Sequence, residues 1–230
     1  MPLLNYKPVL SLLLAVLPLV GSAQQASVPA LSPSDWLRAA QERLQIAEVK
    51  HPGNTVEVAR ALNAVVNNEL NVEGPTPVAQ EQVKRALSVA EAASGQQSEI
   101  YLNALLNQAN LLIMLDRPAE GRPLAERAFS LAQQMFPDAP EFSRAAFVLF
   151  FACDALGDLD CARRTNDAAM AIERKGGSKR ASELVLSLTA RTGLDERMGN
   201  KVAADQDIEE ALSIAAQLPA NDASIGLVEQ

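Results

Sequence analysis

Few side chains in this 230-residue chain could carry out chemistry. There is one histidine, His51, in the segment His51–Pro52–Gly53–Asn54. A metal site or a general base needs partners within reach, and none is visible in the sequence at a suitable spacing. The two cysteines, Cys153 and Cys161, are symmetric about Gly157. Residues equidistant from the turn of an antiparallel hairpin can face each other, and an exported chain meets an oxidising compartment. A bond requires Cα atoms within roughly 7 Å, so a bridge and a pair of buried thiols both stay open. A redox-active pair would call for a Cys-x-x-Cys spacing, which is missing. Residues 176–180, Gly-Gly-Ser-Lys-Arg, look superficially like a phosphate loop but lack the preceding strand and the full glycine–lysine spacing. No nucleophile elbow, paired-carboxylate signature, dinucleotide fingerprint or metal-ligand pattern is present. The chain is therefore expected to be non-enzymatic, with no cofactor and no metal. The asparagines stand out more. Asn63, Asn67, Asn68 and Asn71 fall in one expected helix, and Asn103, Asn107 and Asn110 in another, the last three spaced to share a face. Asparagine is a mediocre helix former, and its amide both donates and accepts hydrogen bonds.

The elements that must position these residues are helices. Hydrophobic residues make up 48% of the chain and aromatic residues only 4%, with no strand-like alternation. Ser32, Pro33 and Asp35 open a first helix that runs to about Lys50. Four pairs follow, over 54–71 with 77–93, 97–115 with 118–135, 140–156 with 159–175, and 180–197 with 200–217, separated by Gly- and Pro-containing breaks. Formal charge is −8, which argues against a nucleic-acid partner, because neutralising phosphate needs clustered Lys and Arg. The one basic cluster, Arg174, Lys175, Lys179 and Arg180, sits at a helix end, where cations complement the macrodipole.

Lys7, the apolar run 8–20 and the small residues 21–23 have the form of an export signal. The run is shorter than the roughly 20 residues needed to span a bilayer. The expected organisation is a signal peptide over 1–23, a linker over 24–35, a helical domain over 36–217 and a flexible tail over 218–230. The expected location is periplasmic or secreted, with no stable membrane insertion after leader cleavage. Retention of the leader as an anchor is the alternative.

The chain also repeats. Ile46, Val89, Leu131, Ile172 and Ile214 recur about every 42 residues. Small residues recur at Ala79, Gly121, Ala162 and Ala204, and alanine follows seven residues later at Ala86, Ala128, Ala169 and Ala211. Five residues before each small position lies Gly74, Asp116, Gly157 or Gly199, at the turn between paired helices. A fixed period of this length is the signature of a helical solenoid, whose stacked units make binding surfaces. In the last unit Arg191, Thr192 and Asp195 fall near core positions, which predicts either a polar cap or a small shift of register.

The pattern resembles the tetratricopeptide repeat, with the longer unit of the kinesin-light-chain type. Residues 105–134, with Pro123 just after the small position, and the His51–Pro52 entry at 50–62 carry the likeness. The resemblance implies an all-α, right-handed solenoid of stacked antiparallel helix pairs, about four hairpins plus a leading helix. It also implies a structural role for His51–Pro52 and a concave groove lined by the first helix of each pair. Chaperone-binding members hold a terminal carboxylate with Lys, Asn, Asn, Lys and Arg. Asn68, Asn107 and Arg144 resemble three of those places, whereas Ala64 and Val148 stand where two of the cations would be. The implied site is a peptide-binding groove of Asn68, Asn107, Asn110, Arg144, Phe147 and Phe151, taking a protein or peptide partner; the other reading of the asparagines is that they are solvated or serve helix packing. The alternative is a structural subunit or assembly factor of an envelope complex, binding through its convex face or the first helix.

Overall fold

A computed structural model describes residues 32–219 and 222. The expected leader and most of the expected linker and tail lie outside these residues. Among the described residues the regular structure is nine α-helices and one 3-10 turn. They are α1 (Pro33–Lys50), α2 (Val56–Val72), α3 (Pro77–Ser94), α4 (Glu99–Met114), α5 (Pro118–Met135), α6 (Pro140–Ala155), α7 (Leu159–Gly176), α8 (Ala181–Met198) and α9 (Lys201–Ala215), with the 3-10 turn over Gly177–Arg180. None of them is long and apolar enough to cross a membrane.

Local chemistry sets the helix ends. Ser32 and Asp35 form a reciprocal capping box at α1, with Pro33 in the first turn. Residues 33–35 thus belong to the helix and not to a linker. Thr55, Thr76 and Asp158 accept from backbone amides at the starts of α2, α3 and α7. The four recurring turn residues share a left-handed backbone: φ is 76° at Gly74, 59° at Asp116, 73° at Gly157 and 79° at Gly199. Asp116 is the one non-glycine residue among those described that adopts positive φ.

The chain divides into two compact units, Met1–Met114 and Leu115–Gln230. In the first, α1 packs on α2, α2 on α3 and α3 on α4, and the two first helices α2 and α4 also meet. In the second, α5 packs on α6, α6 on α7, α7 on α8 and α8 on α9. The recurring small positions explain this packing. Ala79, Ala86, Gly121, Ala128, Ala162, Ala169, Ala204 and Ala211 are all buried, so helix backbones approach closely there. Leucines dominate the core of the first unit, including Leu62, Leu70, Leu102, Leu105 and Leu106. Phe150, Met170, Leu186, Leu188 and Leu194 fill that of the second. The C-terminal end stays packed beyond the expected boundary at 217. Leu218 lies against the Met170–Leu184–Val185–Leu188 cluster, and the Asp222 carboxylate accepts from Ser182 Oγ at 2.6 Å.

Candidate functional site

Three of the six expected groove residues, Asn68, Asn107 and Asn110, lie in the first unit. Here the amides serve the fold. Asn63 Nδ2 donates to the Ile100 carbonyl across the α2–α4 seam at 2.9 Å, and Asn107 Nδ2 donates back to the Asn63 carbonyl at 3.3 Å. Asn68 Nδ2 donates to the Ala64 carbonyl of its own helix at 2.7 Å. Asn110 Nδ2 points at Met114 Sδ, 3.7 Å away. Asn63, Asn107 and Asn110 are buried. Two first helices are therefore pinned to each other by reciprocal amide-to-backbone bonds, each worth about 0.5–1.5 kcal/mol net.

Arg144, Phe147 and Phe151 lie on α6 in the second unit. Arg144 is half-buried. Phe147 and Phe151 are buried with ring centroids 5.9 Å apart, and each also packs edge-on against Phe150. The groove expectation needs these side chains to be accessible, and for Asn107, Asn110, Phe147 and Phe151 that premise is corrected. The aromatic rings belong to the apolar core, and the amides are needed by neighbouring backbone and side chains. Of the asparagines in α2 and α4, Asn67, Asn68, Asn71 and Asn103 keep partial exposure. Asn67 and Asn71 continue a stripe from Arg60 through Ala64, at helical spacings of four, three and four.

Cys153 and Cys161 are joined as a disulfide, with Cα atoms 5.8 Å apart, across the turn between α6 and α7. His51 is exposed in the turn after α1. Among the described residues no group of His, Cys, Asp or Glu has the arrangement of a metal site. The Gly177–Arg180 turn connects α7 to α8, and Arg180 Nη2 donates to the Asp138 carbonyl at 3.0 Å.

The sequence reading missed a polar seam inside the second unit. Glu173 of α7 is completely buried. Burial pushes its carboxyl up to about 7, and the nearby Glu183 adds to the rise, while Ser187, Arg180 and Ser143 pull it back. Neither carboxylate oxygen, nor the Ser143 or Ser187 hydroxyl, closes a hydrogen bond of standard geometry. Two turns earlier on α7, Asn166 Nδ2 donates to the Ser187 carbonyl at 3.0 Å. The repeat carried a signal for both residues. Glu173 occupies the place held elsewhere by Ala90, Ala132 and Ala215, and Asn166 that of Val83, Ala125 and Ile208. The second unit also carries ionic contacts. Arg163 pairs with buried Asp195, Arg191 with Asp207 and Asp167, and Arg197 with buried Asp154. Asn200 Nδ2 also donates to Asp195 at 3.0 Å.

Among solved structures the chain is similar to BtubC (BKLC) from P. vanneervenii. The TM-score is 0.65 at 15% identity, over 84% of this chain and 77% of that one. The fold is a TPR-like helical repeat. The likeness between this repeat protein and BtubC is one of fold alone. No protein-family description matches the chain, and no curated protein matches it in sequence.

Proposed function

We propose that the chain is an exported, non-catalytic repeat scaffold that holds an extended polypeptide on the first helices of its first unit. The observation that carries this reading is the pinned α2–α4 seam. The Asn63 and Asn107 amides fix the two helices to each other, and the partly exposed residues Asn67, Asn71 and Asn103, with Arg60, lie on those same helices. A rigid row of short amides suits an extended backbone, whose N–H and C=O groups alternate, and preorganisation lowers the ordering cost of binding. Asn68 flanks the row and donates to the Ala64 carbonyl of its own helix. The export half of the proposal rests on the leader-like residues 1–23 and is supported by the Cys153–Cys161 bridge.

The test begins with selection of a binding peptide from a random library on the wild-type protein, followed by calorimetry of variants. Asn67→Ala, Asn71→Ala and Asn103→Ala should each weaken binding by about 0.5–1.5 kcal/mol. Wild-type affinity in all three folded variants would overturn the binding face. Mass spectrometry of protein recovered from producing cells should show a start near Gln24. An intact leader on cytoplasmic protein would overturn export.

A further inference from the structure

The first helix occupies an unusual place in the repeat. Ile46 falls at the recurring marker position, so α1 stands in register with the second helices α3, α5, α7 and α9. The same position is buried inside the stack, at 6% exposure for Val89, 8% for Leu131 and 8% for Ile172, but Ile46 is 53% exposed. The small positions are also broken. Trp36 stands where the other units have Ala79, Gly121, Ala162 and Ala204, and Arg43 where they have Ala86, Ala128, Ala169 and Ala211. Those side chains prevent the close helix approach that the small residues permit elsewhere. The outer face of α1 therefore does not await an ordinary first helix.

That face has a pattern of its own. Trp36, Ala39, Glu42, Arg43, Ile46 and Val49 recur every three or four residues and form one stripe. It lies opposite the buried Leu37, Ala40 and Leu44 that pack toward the rest of the unit. Trp36, Ile46 and Val49 are exposed apolar residues. Among the described residues Glu42 and Arg43 enter no ion pair within the chain. Arg43 Nε donates to the Ala39 carbonyl at 3.1 Å, which lays the side chain along its own helix.

Turned end for end about the midpoint between residues 42 and 43, the stripe complements itself. Trp36 meets Val49, Ala39 meets Ile46, and Glu42 meets Arg43. Each large side chain faces a smaller one, and the centre carries two opposite-charge pairs. We propose that α1 is the interface of a two-fold homodimer, in which the α1 helices of two copies pack antiparallel through this stripe. A two-fold contact requires this self-complementarity, because the same patch must serve both copies. The charge pattern also selects a second copy over an unrelated apolar partner and fixes the antiparallel direction.

A single helix-on-helix contact lies at the small end of interface sizes, so association should be read by sedimentation velocity up to roughly 100 µM. The sample is the full chain as recovered from cells that produce it with its own leader. Wild type should shift from monomer to dimer as concentration rises. Arg43→Glu places like charges opposite each other twice and should weaken dimerisation at least about tenfold. The double exchange Glu42→Arg with Arg43→Glu restores both pairs and should restore the dimer. Ile46→Glu should abolish it, with circular dichroism confirming that the variant folds. A monomeric wild type over this range overturns the proposal. So does a dimer insensitive to Arg43→Glu, or one not recovered by the double exchange.

Discussion

Glu173 is a carboxylic acid at a position that the other units fill with alanine, and its replacement by glutamine gives a sharp test of the polar seam. Its carboxyl is raised from 4.5 to about 7 by burial, with Glu183 adding and Ser187, Arg180 and Ser143 opposing. Below the unfolded value both states carry the proton, and Glu173 imposes no ionisation penalty. Between about 4.5 and 7 the unfolded chain has lost a proton that the folded chain keeps, so stability falls as pH rises. Above about 7 both states are ionised and the penalty is complete. A rise of this size corresponds to about 3 kcal/mol at 1.36 kcal/mol per pH unit. Glutamine preserves the shape of the neutral acid and cannot ionise. Glu173→Gln should therefore be nearly neutral at about pH 4 and stabilising by about 3 kcal/mol at about pH 8. Urea denaturation followed by far-UV circular dichroism at the two pH values measures the difference. Glu183 titrates in both proteins, so its own contribution largely cancels. An equal effect of the substitution at both pH values would refute the reasoning, because it would mean that Glu173 is ionised, or neutral, throughout.

Two further outcomes are expected. Asp116→Gly should stabilise the protein by about 0.5–1 kcal/mol, since it relieves a left-handed non-glycine residue at a turn where the other units use glycine; thermal melts check this, and a lower melting temperature would count against it. Removing both cysteines as Cys153→Ala with Cys161→Ala should cost about 2.5 kcal/mol, the loop-closure contribution for a separation of 8 residues, with hydrogen exchange rising first in α6 and α7; unchanged exchange there would show that the bridge constrains nothing.

Periodicity made most of the fold legible. A turn that needs positive φ, a helix backbone that needs a small neighbour and a buried marker each leave a residue type at a fixed interval, and Asp116 was readable as a turn residue because of where it falls. Periodicity also locates exceptions, and Glu173 was visible as a departure from Ala90, Ala132 and Ala215. What it cannot tell is whether a polar side chain on a shared face meets solvent or a neighbouring backbone. Asn107 and Asn103 lie on one face of α4, yet one is buried against the Asn63 carbonyl and the other is partly exposed. The difference depends on how close α2 comes at each height, which no local pattern encodes. The last unit shows the same limit. Asp195 does occupy a core position, as its register implied, and is tolerated because Arg163 and Asn200 meet it there. Thr192 turns its hydroxyl back onto the Leu188 carbonyl at 3.0 Å.

The interchangeable alanines have a genetic consequence. Ala128 and Ala169 occupy the same place in successive second helices, and both are fully buried. A recombination that joined Ala128 directly to Met170 would delete residues 129–169, about one repeat length, and leave a continuous helix with its buried face in phase. The excised stretch contains both cysteines. A shortened chain would therefore carry no orphan thiol, and losing one repeat in this register would remove the bridge whole and not in part.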